Sequence, residues 1–112
     1  MKIAFTTKGT QWDSEMDPRF GRATYFVVYD DVTEELTHFD NSSNGNEAHG
    51  AGPKAAQILF DLKVNMLITG NGPGGNAAVV VNKAGIEVYV GAGEMTVEQA
   101  YAAFKNGQLK KA

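Results

Sequence analysis

Three stretches in the second half of the chain repeat one apolar spacing, and that repetition constrains the fold more than any other feature. Ala55, Ile58, Leu59 and Leu62 stand at i, i+3, i+4 and i+7. Ala77, Val80, Val81 and Ala84 repeat the pattern, as do Val97, Ala100, Tyr101 and Phe104. This spacing gathers each set on one face of a helix. The punctuation agrees: Pro53 suits a first helical position and Gly85 a C′ position. Thr96 and Gln99 form a capping box, and Asn106-Gly107 stops the third helix. Only short apolar runs, Met66 to Thr69 and Ile86 to Val90, separate the helices. Strands that alternate with helices pair in parallel through helical crossovers, which sets an α/β fold.

The first half reads differently. Ile3 to Phe5 is a short apolar strand, followed by a polar loop over residues 7–23. Tyr25 to Tyr29 is rich in aromatic and β-branched residues, and Asp30-Asp31 begins a turn into a returning strand, Glu35 to Asp40. A second loop runs from Asn41 to Gly52. The order βββαβαβα predicts a mixed five-stranded sheet with helices packed on its faces. With the second strand antiparallel to the first, strands one, three, four and five share a carboxyl-end edge. Open α/β sheets bind ligands at that edge.

Four loops should meet there, over residues 7–23, 41–52, 70–75 and 91–95. They hold 11 of the 13 glycines, the two arginines and one of the two histidines. Any single glycine is better explained by a tight turn; their concentration is what points to a ligand. Glycine lets backbone N–H groups approach closely, helix N-termini favour anions, and arginine adds rigid donors. The expected anion site comprises Arg19, Arg22, His49, Gly50, Gly52, Gly70, Asn71, Gly72 and Gly75. Gly70, Gly72 and Gly75 also spell the dinucleotide fingerprint. Pro73 lies inside it, however, and no acid stands clearly at the ribose position, so a simple anion loop fits better.

Composition removes several function classes. The 112 residues suffice for one domain, over residues 1–112. The absence of cysteine excludes disulfides, thiolate metal sites and a cysteine nucleophile. A net charge of −3 argues against nucleic acid. Met1-Lys2-Ile3-Ala4-Phe5 lacks a signal-peptide apolar region and no run spans a membrane, so the expectation is a cytoplasmic protein. A two-metal nuclease needs carboxylates on the sheet, and Ile3-Ala4-Phe5 offers none. Asp13, Glu15 and Asp17 share one loop and are expected to be solvated. Ser42 and Ser43 precede His49 without a Ser–His–Asp arrangement. Met16 and Met95 could offer thioethers to a soft metal, but apolar packing explains both better. His38 lies in a strand, structural or exposed. Trp12 either covers the site or packs on it. No catalytic constellation emerges.

The ordered motifs resemble the dinitrogenase iron–molybdenum cofactor biosynthesis family. They are Asp17-Pro18-Arg19-Phe20-Gly21-Arg22-Ala23, then Asp40-Asn41 with His49-Gly50-Ala51-Gly52-Pro53, then Ile68-Thr69-Gly70 with Gly72-Pro73 and Asn76-Ala77. The run Gly85-Ile86-Glu87-Val88-Tyr89 with Thr96-Val97-Glu98-Gln99-Ala100 is also similar. Together they cover nearly the whole chain. The family includes nitrogenase accessory proteins that carry the cofactor or its precursor. It also includes small proteins of anaerobes that hold metal–sulfur clusters, one a molybdenum–copper sulfide bound without cysteine. The resemblance implies a ribonuclease-H-like fold and cluster binding, with His49 matching the histidine that some members use as a metal ligand. Two departures are the lack of the extra domains of many accessory proteins and the added Gly74-Gly75.

A metal–sulfur cluster is an anion that brings its own sulfur, so a cysteine-free, donor-rich edge suits it. The leading expectation is a non-enzymatic carrier or scaffold for an iron- or molybdenum-containing sulfide cluster or its precursor. Its partners would be the cluster and a cluster-assembly or acceptor protein, with no nucleic acid and no membrane. The alternative is a nucleotide- or phosphate-binding regulatory module using the same edge. A third is an enzyme of unknown reaction.

Overall fold

Lys2–Thr7 is β1, a run buried at every position after the first, as a strand covered on both faces must be. The computed structural model describes residues 1–45 and 50–112. Tyr25–Asp30 (β2) and Glu35–Asp40 (β3) form the expected hairpin. The Asp30 carboxylate accepts the Val32 and Thr33 N–H groups at its turn. Then follow α1 (Ser42–Gly45), α2 (Ala51–Asp61), β4 (Met66–Ile68), α3 (Gly75–Lys83), β5 (Glu87–Val90), α4 (Val97–Lys105) and β6 (Lys110–Lys111). The sheet order is β3-β2-β1-β4-β5-β6.

The described residues thus build six strands, one more than the sequence pattern suggests, and four helices. β6 pairs antiparallel with β5, and Ala112 N–H donates to Val88 O at 2.9 Å. Two exposed lysines carry no apolar alternation, so the pattern hides them. An edge strand held by backbone bonds, with an ion pair from Lys111 to Glu87 at 3.7 Å, needs none, and lysine suits an edge. The extra helix, α1, starts where the Asp40 carboxylate accepts the Ser42 N–H at 2.9 Å.

Alternation in the strands sorts the core into two layers. Ala4, Phe26, Val28, Leu67 and Val88 face α2 and α3, where Ala55, Leu59, Ala77 and Val81 meet them. Burying Leu59 contributes about 1.5–3 kcal/mol. Ile3, Phe5, Val27, Met66 and Ile68 face the other way, onto Val97 and Ala100 of α4. Met16 packs into this second layer, 1% exposed, with Met95 against it. Trp12 also packs on this layer rather than over the glycine-rich loops. Its ring lies 4.9 Å from Tyr29 and 5.9 Å from Tyr101. His38 stands on the exposed β3, edge-on to the Tyr25 ring at 6.0 Å.

α2 begins at Ala51, so Pro53 occupies its third residue rather than its first. The first-turn N–H groups have no intrahelical acceptor, so the missing proline donor costs nothing there. Gly85, at φ +73°, ends α3 as expected, and the Thr96–Gln99 capping box is complete. Among the described residues no helix is long and apolar enough to cross a membrane.

Candidate functional site

β1 pairs in parallel with β4, and β4 with β5, while β2 is antiparallel to both of its neighbours. The carboxyl ends of β1, β3, β4 and β5 therefore do share one edge. The four loops leaving it divide into a brace and a cleft.

The brace closes the N-terminus of α4. Val97 N–H donates to Ser14 O and Glu98 N–H to Trp12 O, each at 2.9 Å, and Met16 N–H reaches Met95 O at 2.8 Å. The capping box satisfies further donors. Behind it, Gly70 sits where no side chain fits. A Cβ there would stand 2.6 Å from Pro18 Cα and 2.8 Å from Gly93 Cα. Asn71 N–H donates to Pro18 O at 2.7 Å. Gly70 and Asn71 thus join three loops together, and residues 91–95 support the site instead of opening onto it.

Asp17 is the hinge between brace and cleft. It is 0% exposed, which corrects the expectation of a solvated acid. Its carboxylate accepts Arg19 Nε at 3.0 Å and Nη2 at 2.8 Å, and the Arg19 backbone N–H at 3.0 Å. Burial by itself pushes the Asp17 carboxyl up. The Arg19 guanidinium and the backbone N–H groups of Arg19 and Thr24 outweigh it and hold the group below its ordinary value. The Asp17 carboxylate in turn pushes the Arg19 guanidinium up. Asp17 also anchors the strands: Thr6 Oγ1 donates to its carbonyl at 2.8 Å and lies 2.7 Å from Thr69 Oγ1.

The cleft, about 480 Å³, lies between the first loop, α2 and the loop before α3. Phe20, Gly21 and Arg22 line one side, Gly50 and Gly52 another, and Gly72, Pro73, Gly74 and Ala77 the third. Phe20 is anchored 6.3 Å from the Phe26 ring. Gly21 lets the first loop touch α2 backbone to backbone, since a Cβ there would stand 2.7 Å from Gly52 N. Asn41 and Asn44 both donate from Nδ2 to Gly21 O, at 3.1 and 3.2 Å, and Asn44 Nδ2 also reaches Ala51 O at 3.0 Å.

Two helices open on this cleft, and both have glycine at the N-cap. The N-caps of α2 and α3 are Gly50 and Gly74, neither makes a side-chain cap bond, and neither first turn holds an acid. α4, which does not open on it, has a full capping box and Glu98 in its first turn. The site-facing helices thus keep first-turn N–H donors and their positive dipole ends for an anion. Among the described residues no three of His, Cys, Asp and Glu could together hold a metal ion.

Of the expected site residues, the structure brings Arg22, Gly50, Gly52 and Gly72 to the cleft wall. Arg19 is engaged with Asp17, Gly70 and Asn71 belong to the brace, and Gly75 begins α3 at φ +50° without lining the cleft. His49 lies outside the described residues. Sequence reasoning left out Phe20, Gly21, Pro73, Gly74 and Ala77. Gly21 was within reach, because it stands inside the Asp17 to Arg22 run between the two arginines.

Among curated proteins none matches the chain. Among solved structures, the apo form of the orange protein from Desulfovibrio gigas is 40% identical, with a TM-score of 0.93 over 99% of this chain and 92% of that one. A Thermotoga protein described as a NifB candidate of the DUF35 family is 34% identical, with a TM-score of 0.84 over 98% and 91%. The protein PH0822, at 22% identity and a TM-score of 0.74, shares the fold. The family described as dinitrogenase iron-molybdenum cofactor matches residues 1–107. This chain belongs to the dinitrogenase iron-molybdenum cofactor family.

Proposed function

We propose that this chain is a non-enzymatic carrier or scaffold that holds an anionic metal–sulfur cluster, containing iron or molybdenum, or its precursor, in the cleft. The observation that carries this reading is the pair of helices with glycine N-caps and no acid in the first turn, α2 and α3, opening on one cleft while α4 carries a full capping box. The described residues of the cleft fit such a cargo. A sulfide cluster needs N–H donors and positive charge from the protein, and the cleft offers backbone N–H groups with Arg22 beside them. We assign ligand contact to Arg22, Gly50, Gly52 and Gly72, with Gly75 at the start of α3. Arg19, Gly70 and Asn71 act one layer out. His49 immediately precedes Gly50 in the sequence, and we assign it as the metal ligand. The sheet order β3-β2-β1-β4-β5 with β2 antiparallel also supports the ribonuclease-H-like reading of the fold. A cytoplasmic location and an assembly or acceptor protein as partner complete the proposal.

The test is titration of the full chain with tetrathiomolybdate, without air, followed by amide NMR, the visible spectrum and metal analysis. The expected result is retained metal with amide shifts at residues 50–52, 72 and 74–76. Shifts there with ATP or inorganic phosphate, and none with the thiometallate, would move the assignment to the nucleotide or phosphate reading.

A further inference from the structure

The two edges of the sheet are treated differently. The β6 edge is two residues long and both are lysine, which discourages further pairing. The β3 edge runs for six residues, Glu35 to Asp40, with neither lysine nor proline. Asn41 N–H donates to Thr24 O at 2.8 Å, in register with the Tyr25↔Asp40 pairing. Antiparallel pairs alternate between bonded and non-bonded, so Thr37 and Phe39 turn their backbone groups inward to β2. Leu36, His38 and Asp40 therefore turn their N–H and C=O groups outward, where no strand among the described residues meets them.

We propose that this edge accepts an extended, lysine- or arginine-bearing segment of a partner protein as a further strand. Backbone pairing supplies the attachment, as in strand addition generally. Charge selects the occupant. Residues 30–40 carry Asp30, Asp31, Glu34, Glu35 and Asp40, against His38 alone as a basic side chain. Asp31 is engaged by the Met1 ammonium and Asp40 by Ser42. Beside the edge, on the α2 side, a hollow of about 170 Å³ is lined by Asp30, Glu35, Thr37 and Leu62, with Lys2 its one basic residue. It offers an aliphatic wall and two carboxylates, which suits the stem and head of a long cationic side chain. Hydrogen bonds from Val32 and Thr33 hold the Asp30 carboxyl low, so that charge is present at neutral pH. A second copy would bring the same carboxylates to the edge and be repelled. Since β3 leads through Asn41 into the loop clamped to Gly21, such a segment would lie next to the cleft.

The experiment uses the full chain with a capped synthetic peptide of alternating Lys and Val, read by amide hydrogen exchange at single-residue resolution. With peptide at ten times its Kd, exchange at Leu36, His38 and Asp40 should slow about tenfold, while Thr37 and Phe39 stay unchanged. The alternation distinguishes strand addition from diffuse attraction. His38→Pro removes an outward donor without touching the β2 ladder and should abolish the protection at Leu36 and Asp40. Glu35→Lys with Asp40→Lys should transfer the preference to a peptide of alternating Glu and Val. Equal protection of the parent by both peptides would overturn the basic partner. No alternating protection at low salt would overturn strand addition itself. So would a dimer in sedimentation that already protects these amides without peptide.

Discussion

Asp17 carries a charge on a buried side chain, and Arg19 pairs with it. Its folded value lies below its unfolded one, so the pairing stabilises the fold fully above about pH 4, the unfolded value, and is lost as pH falls through the lowered folded value. Asp17→Asn should therefore cost about 1–3 kcal/mol at neutral pH, and the gap from the parent should narrow in acid. Urea unfolding at the two pH values measures this; a gap that widened in acid would refute it. Arg19→Gln should behave as a stability variant. Arg22→Gln should weaken thiometallate binding about tenfold or more, since hydrogen bonds to charged groups contribute about 1.5–3 kcal/mol. If His49 coordinates metal, protons compete with the metal for the imidazole, so binding should weaken in acid, and His49→Ala should remove that response. The two arginines were visible in the sequence as a pair on one loop. Their division of labour was not, because it depends on a side chain folding back two residues onto a buried acid. Residue type and spacing give the donors of a site; which donors are already taken depends on burial.

At the scale of elements, the difference between α3 and α4 makes a trade-off measurable. Gly74 is extended at its N-cap, φ −109° and ψ 163°, and a Cβ there would touch nothing within 4 Å. Gly74→Asp should cap α3 and stabilise the protein by roughly a few tenths of a kcal/mol. The same carboxylate occupies the donors and repels an anion, so thiometallate affinity should fall. Thr96→Ala is the counterpart. It should destabilise by about 1 kcal/mol and leave affinity unchanged. Thermal melting and the NMR titration read both effects, and equal losses of affinity in the two variants would count against the cleft. The helices were readable because three apolar stripes, a capping box and Gly85 all spoke for them. β6 was not, since Lys110 and Lys111 pair through the backbone and leave no apolar trace. The two roles of the loops also escaped the sequence. Glycines that pack against Pro18 and glycines that face the cleft are the same letter.

At the scale of the molecule, a chain of net charge −3 places its proposed anion site between two helix ends and a loop, on one edge of the sheet. Binding there must rest on local donors against an unfavourable overall charge, so moderate salt should change affinity little compared with Arg22→Gln. The same edge carries the brace, and the brace carries the only tryptophan of the chain. Trp12 lies among Tyr29 and Tyr101, on the loop that continues through Asp17 into Arg22. One optical consequence follows. Ultraviolet light absorbed by the tyrosines funnels to a single indole, and a coloured cargo in the cleft would drain that excitation by energy transfer. Loading should darken the emission of Trp12 in step with the rise of visible colour, so the protein carries its own unlabelled gauge of whether the cleft is full.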